Sequence, residues 1–196
     1  MRKLIYYVAC SQDGFIARED GALEDFTAGG EHFADLLAEF PETIPGHLQS
    51  KLEVAREKKH FDSVLMGRAT YAVGQAFGVT SPYPHLAQYV VSGSMNTSPD
   101  PAVTLIQSDP AGHVRRLKNE PGLDIWLCGG GKLAASLLGE IDEFILKMNP
   151  FLMGSGLPMI AGQIHQDLRL LNHRVYSNGF SLMHFTCDRA PPGDRK

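Results

Sequence analysis

The sequence predicts an α/β fold: a mostly parallel central sheet flanked by helices and ending in an antiparallel C-terminal hairpin. Three observations predict the sheet and its closure. Strand-like runs rich in β-branched and aromatic residues alternate with helix-like stretches along most of the chain, as a parallel sheet with crossover helices requires. Several of these runs are continuously apolar, as strands covered on both faces are. Near the C-terminus two strand-like runs follow one another directly across Asn178-Gly179, a strong hairpin signal.

The elements follow in order. Leu4 to Ala9 is the first strand, ended by the Asp13-Gly14 turn. Glu31 to Phe40 reads as a helix whose Phe33, Leu36, Leu37 and Phe40 recur at i, i+3, i+4 and i+7, and His47 to Lys58 reads as a second. Ser63 to Met66, Tyr89 to Ser92, Val103 to Ile106, Ile125 to Cys128 and Phe144 to Met148 are strands. Ala69 to Ala76, Ala111 to Asn119 and Lys132 to Leu138 are the helices between them. Leu168 to Ser177 and Phe180 to Cys187 form the hairpin, with a type I′ turn expected at Asn178-Gly179. Residues 1–187 are expected to make one domain, without internal repeat or linker, and 188–196, containing Pro191-Pro192-Gly193, a flexible tail.

Composition narrows the function classes. The 196 residues are 43% apolar and 20% charged, enough apolar material for a sizeable core. Lys plus Arg number 18 against 22 Asp plus Glu, with no basic stripe, so nucleic acid is not the expected partner. No apolar run approaches the roughly 18 residues of a membrane span, so no membrane partner is expected either. Met1-Arg2-Lys3 and the run to Cys10 are too short for a secretory signal and suit a strand. Cys10, Cys128 and Cys187 are odd in number and widely spaced, against a disulfide framework or zinc knuckle, and a reducing cytoplasm is expected. The eight histidines form no HExxH or Cys/His pattern, and no GxSxG elbow is present, so neither a metal site nor a serine nucleophile is expected.

The most informative segment is Asp124-Ile125-Trp126-Leu127-Cys128-Gly129-Gly130-Gly131-Lys132-Leu133-Ala134-Ala135. A buried strand that runs through three glycines into a helix lets backbone approach a phosphate, with helix N-terminal amides facing the anion. The alternative is a tight strand-to-helix turn and no more. Gly129, Gly131 and Ala134 fit GxGxxG/A, but the Rossmann fingerprint lacks its acidic residue. Leu133 stands where a Walker A loop needs Ser or Thr. A second junction, Met66-Gly67-Arg68-Ala69-Thr70-Tyr71, offers close approach at Gly67, a planar fork at Arg68 and a hydroxyl at Thr70. A third strand ends at Ser92-Gly93-Ser94. Ligands of open α/β sheets bind along that C-terminal strand edge, and three such junctions point to a dinucleotide.

Together, the first strand with Ser11-Gln12-Asp13-Gly14-Phe15-Ile16-Ala17, the Gly67-to-Tyr71 junction, Gly129-Gly130-Gly131 and Pro150-Phe151-Leu152-Met153-Gly154-Ser155-Gly156 resemble the dihydrofolate reductase superfamily. The nearer likeness is to its riboflavin-biosynthesis reductase C-terminal-domain branch, and it spans nearly the whole chain in order. The resemblance implies a homodimer that binds NADPH and passes hydride to a pterin-like or pyrimidine-like heterocycle, of dihydrofolate or aminouracil type. It further implies that Ala9 and Ile16 frame the nicotinamide, that Gly67, Arg68 and Thr70 hold phosphates, and that Ser92 lies by the adenine ribose. Gly129, Gly130, Gly131, Lys132 and Leu133 would wrap the pyrophosphate, with Arg68 the first candidate for the 2′-phosphate and Lys132 the second. The cofactor carries the hydride chemistry while the protein binds and orients.

The substrate side rests on fewer residues. Asp35 matches the position of the acid that dihydrofolate reductases carry on the helix after the first strand, although it projects nearly opposite that helix's apolar face, and no Pro-Trp precedes it. Asp13 is the second catalytic candidate, or simply shapes its turn. Phe26 is the candidate to stack on a flat substrate ring, or packs within its loop. Two other functions remain open: an NADP(H)-binding sensor or interaction protein without turnover, and a flavin-dependent reductase on the same scaffold.

Overall fold

β1 (Leu4–Cys10) is apolar on both faces, and that decides its place. Leu4, Tyr6, Val8 and Cys10 are buried in one core, while Ile5 and Tyr7 are buried in another. Such a strand belongs in the middle of a sheet with both faces covered. The computed structural model describes residues 1–26, 29–55 and 57–188, and β1 lies inside its main sheet. The other elements are β2 (Phe15–Ala17), α1 (Glu31–Glu39), α2 (Gly46–Gln49), β3 (Phe61–Gly67), α3 (Arg68–Ala76), β4 (Ala87–Val91), β5 (Val103–Ile106), α4 (Pro110–Asn119) and β6 (Asp124–Gly129). They are followed by α5 (Gly131–Ser136), β7 (Glu143–Met148), β8 (Leu157–Pro158), β9 (Leu168–Val175) and β10 (Ser181–Cys187).

Eight strands form the main sheet in the order β5-β4-β3-β6-β1-β7-β10-β9. Pairing is parallel from β5 through to β7 and antiparallel for β7-β10 and β10-β9. One core packs Val114 and Leu117 of α4 and Leu133, Ala134 and Leu137 of the α5 region on Leu4, Tyr6, Ile125 and Leu127. The other packs Phe40, Tyr71, Leu86, Tyr176 and Phe180 on Ile5, Tyr7, Val64, Trp126 and Ile145. The Trp126 indole N–H donates to the Tyr7 carbonyl at 2.9 Å, so its one polar group is satisfied inside the apolar layer.

Three expectations need correction. The helix expected over 47–58 is only the single turn Gly46–Gln49, because Lys51, Leu52 and Glu53 lie exposed and give a longer helix no face to bury. Glu53 adopts φ +53°. Second, the residue of α1 that is fully buried is His32, stacked on Phe180 at 4.0 Å between ring centroids. Phe33, Leu36 and Leu37 are half-buried, and of these Leu36 reaches the core cluster. Third, the hairpin turn is not type I′. Only Gly179 has positive φ (+84°); the Gly179 N–H donates to the Tyr176 carbonyl, and the Tyr176 N–H donates to the Phe180 carbonyl. This is the longer hairpin loop with one left-handed glycine, and it requires no positive φ at Asn178. The Asn178 carboxamide instead accepts from the Phe180 N–H and meets His32 Nδ1 at 3.0 Å.

The short β2-β8 ribbon is an addition that no periodicity announced, since three- and two-residue strands show none. Of the tail expected over 188–196, residues 189–196 lie outside the described residues.

Burial holds the His32 pKa below its ordinary value. A depressed value means that the unfolded chain binds the proton first. Stability from this group is therefore full above about pH 6.5 and is lost as pH falls below it. His32→Phe keeps the stack on Phe180, so the decline in Tm between about pH 6.5 and 5 should be shallower than in the parent protein; an unchanged slope would remove His32 from the acid response.

Candidate functional site

The C-terminal ends of β3 and β6 meet in a contact made of glycine. A Cβ on Gly67 would lie 3.5 Å from the Gly129 carbonyl oxygen and 3.6 Å from the Gly130 nitrogen. A Cβ on Gly130 would lie 3.7 Å from both Ile16 Cδ1 and Thr70 Oγ1. The Gly129-Gly130 peptide is cis, and Gly129 has φ +122°. Gly131 is tighter still: a Cβ there would fall 2.0 Å from the Pro158 carbonyl oxygen, so no other residue fits without moving β8. Gly67, Thr70, Gly129, Gly130, Gly131 and Ile16, separated in sequence, thus occupy one place.

Helices α3 and α5 both start at this place, and neither N-cap residue, Gly67 or Gly130, supplies a side-chain cap. Their first amides therefore lack intrahelical partners. No acidic residue stands in either first turn; Arg68 and Lys132 stand there instead, exposed. A cation at a helix N-terminus opposes the helix dipole, and an anion bound there reverses that cost. Among the described residues no hydrogen bond or ion pair engages the side chains of Arg68, Lys132 or Thr70. Leu133 is buried in the core, leaving only its backbone for a ligand. Ser92, at the end of β4, is buried and accepts from the Met95 and Ser94 N–H groups at 3.1 and 3.3 Å, so its hydroxyl oxygen shapes the local turn.

A segment that sequence reading did not single out closes over this edge. The Tyr6 hydroxyl, on a fully buried side chain, donates to the Met159 carbonyl at 2.8 Å. The Met159 N–H donates to the Gly14 carbonyl and the Ala161 N–H to the Gly131 carbonyl. Residues 157–161 therefore bridge the Asp13-Gly14 turn and the three-glycine turn. The signal for this was Gly156 and Pro158 themselves, residues that mark a turn but not its destination.

Asp13 is a fixed joint. Its carboxylate accepts from Ser11 Oγ at 2.6 Å and from the backbone N–H groups of Met153 and Gly154 at 3.0 and 2.7 Å. These bonds, the Ser11 hydroxyl first, pull its pKa down to about 2. An ionised acceptor holds no proton to give near neutral pH. Asp35 lies elsewhere: exposed on α1, it accepts from the Tyr176 hydroxyl at 2.9 Å and lies 3.4 Å from Arg174 Nη1, tying the helix to the hairpin. Phe26 packs edge-on against Phe151 at 5.3 Å between centroids. Phe151 also lines an open cleft of about 530 Å³ with Arg18, Asp25, Met153 and Ser155. The Arg18 guanidinium grips Asp25 through two bonds of 2.6 and 2.7 Å at its rim.

On the sheet face under α1, Ala9 of β1 pairs with Lys147 of β7. Lys147 Nζ lies over the Tyr7 ring at 4.0 Å from its centroid. Burial lowers its pKa to about 8 and pushes the nearby Cys128 thiol up to about 11. Cys128 sits where the β3-β6 register shifts, between Leu127 and Gly129. The expectations above did not include Lys147, because an alternating strand offers no sign of which lysine turns inward.

These features define a member of a reductase-like fold class, and the comparisons agree. The RibD C-terminal domain family model matches residues 2–182, so the chain belongs to that family, and its fold is dihydrofolate-reductase-like. Among curated proteins it is 33% identical to YwjB of Bacillus subtilis (strain 168), described as uncharacterized, over 92% of this chain and 96% of that one. Among solved structures it is similar to the Thermotoga maritima diaminohydroxyphosphoribosylaminopyrimidine deaminase/5-amino-6-(5-phosphoribosylamino)uracil reductase. The TM-score is 0.63 and the identity 15%, over 95% of this chain and 57% of that one. It is also similar to dihydrofolate reductase from Enterococcus faecalis complexed with NADP(H), with TM-score 0.57, 16% identity and coverage of 95% and 96%.

Asp13→Asn replaces one acceptor oxygen by an amide that cannot accept. Hydrogen exchange at Met153 and Gly154 should accelerate while β1 and β7 stay protected, and acidification from about pH 4 towards 2 should do the same to the parent protein. Unchanged exchange at both amides would show that the carboxylate does not hold this joint.

Proposed function

We propose that this protein is an NADPH-dependent reductase acting on the C=N or a related bond of a small pterin-like or pyrimidine-like heterocycle. One observation carries the reading. Two uncapped helix N-termini, two unengaged cations and a free threonine hydroxyl converge on a glycine contact at the C-terminal edge of a parallel sheet, where such sheets bind ligands. Bound there, NADPH supplies the hydride; everything else falls to the chain. Gly67, Gly129, Gly130 and the first amides of α5 cradle the pyrophosphate, Arg68 and then Lys132 are placed for the 2′-phosphate, and Ser92 lies towards the adenosine end. Ala9 and Ile16 frame the nicotinamide. The cleft beside Phe26 and Phe151 is open to a flat substrate.

The family match and the names of the solved relatives support a reductase, and the enterococcal relative was solved with NADP(H). Among the described residues no helix is long and apolar enough to cross a membrane. Cys10 and Cys128 are free thiols, which suits a reducing cytoplasm. We further propose a homodimer. The edge strand β9 is exposed along its whole length and presents Leu168, Leu170, Leu171 and Val175, a liability that a second copy would cover.

Titration with NADPH and NADH, read by Trp126 fluorescence and calorimetry, tests the cofactor. Arg68→Ala should weaken NADPH by about tenfold or more and NADH little, since a charge-assisted contact to the 2′-phosphate is lost. Equal losses would remove Arg68 from that role. Saturable NADPH binding with no consumption of NADPH by dihydrofolate or the ribosylaminouracil phosphate would favour a binding protein without turnover. Light scattering should give about 43 kDa, twice the 21.5 kDa of one chain; a mass of one chain would reject the dimer.

A further inference from the structure

We propose that Lys147 is the catalytic residue that gives its proton to the substrate heteroatom while hydride arrives at the adjacent carbon. The inference rests on the reductase reading above and identifies a group that reading leaves unnamed.

The position is the first argument. Lys147 is the register partner of Ala9, on the C-terminal half of β7, on the sheet face that α1 covers. Its ammonium is half-buried, lies over the face of Tyr7, and makes no ion pair or hydrogen bond among the described residues. An ammonium in such a place lacks the compensation that buried charges ordinarily have. The groups that face it explain why. From β1 it is Tyr7, from β6 Cys128, and β10 pairs apolar Leu182 beside it, while Cys10 lies near on the opposite face of β1. Neither thiol is ionised near neutral pH, since burial raises both. Glu143, four residues back on β7, is already engaged by Lys3 and His184. Among the described residues no carboxylate neutralises Lys147, and the site holds a lysine whose proton is loosely held.

Chemistry is the second argument. Reduction of a C=N bond adds hydride to carbon and a proton to nitrogen. The hydride's two electrons come from the dihydronicotinamide, which is oxidised. The new N–H is formed from Nζ–H, leaving a neutral amine that water reprotonates. Asp13 is ionised and fully bonded, and Asp35 is occupied by Tyr176 and Arg174. A general acid works best with a pKa near the working pH, and burial brings Lys147 to about 8.

The test uses the full chain, Lys147→Met and Lys147→Arg, with NADPH and with dihydrofolate and the ribosylaminouracil phosphate as probes. We expect the kcat/KM of the parent protein to fall above about pH 8 and ¹⁵N-lysine NMR to show Nζ of Lys147 titrating there. Lys147→Met should lose about 10²- to 10⁴-fold in kcat with NADPH affinity kept. Lys147→Arg should fail to rescue, because a guanidinium keeps its proton. Rescue by arginine, titration near an ordinary lysine value, or no reduction of either probe by a parent protein that binds NADPH overturns the proposal alone. Absence of NADPH binding overturns the reductase reading, and this proposal with it. Should Lys147→Met not fold, the arginine variant and the titration still decide.

Discussion

The close approach of backbone at Gly131 is the constraint on which the rest of this edge depends. With the Pro158 carbonyl oxygen where a Cβ would stand, the α5 N-terminus and the 157–161 segment occupy adjoining space only because residue 131 has no side chain. The bonds that hold the segment there, Tyr6 to Met159 and Ala161 to Gly131, come from the middle of the sheet and from the turn itself. Gly67 meeting Gly129 and Gly130 sets the second junction at the same height. Rigid strands buried on both faces thus carry the loops, and the loops carry the groups that could contact a ligand, the usual division of labour in α/β proteins.

Much of this was legible in residue order. Continuous apolar runs located the parallel strands to within a residue or two, and Val103–Ile106 matched in full, because strands buried on both sides leave a pattern that does not depend on their partners. The glycine junctions were also legible, since few other reasons put three glycines between a buried strand and a helix. What failed depended on tertiary contact. The helix expected over 47–58 had propensity but no surface to pack on. The hairpin turn was assigned from a dipeptide, whereas Asn178 is held by its side chain against His32 and only Gly179 needs the left-handed region. His32 is one of eight histidines without a metal or catalytic pattern, and nothing local to it announces that Phe180 lies flat on its ring.

The candidate site shows the same division. Residues placed by a glycine motif, Gly67 and Thr70 with Gly129 and Gly130, lie together, though Leu133 turns into the core and Ser92 uses its oxygen in its own turn. The acids were harder to read because a carboxylate's role is set by its neighbours. Asp13 and Asp35 both stand at positions that invite catalysis. One is bound by a hydroxyl and two amides, the other by a phenol and a guanidinium.

That pairing of carboxylates with donors bears on which side of the sheet can hold a proton. Asp13, ionised and held by three donors, is an anchor of this edge, and Asp35 ties α1 to the hairpin. On the sheet face under α1, Lys147 of β7 has no carboxylate partner among the described residues; it lies over an aromatic face and near the Cys128 thiol, which stays neutral. Cation–π attraction to Tyr7 holds the ammonium in position without making it a fixed ion pair. A carboxylate there would have raised the lysine's pKa strongly and locked its proton in place; the aromatic ring, a weaker attraction, does so far less. The apolar neighbours lower the pKa by desolvation alone, an effect that persists only while water is kept from this face. The packing of α1 and the hairpin over Tyr7 is therefore part of the proton chemistry, although no residue of that cover need touch the substrate.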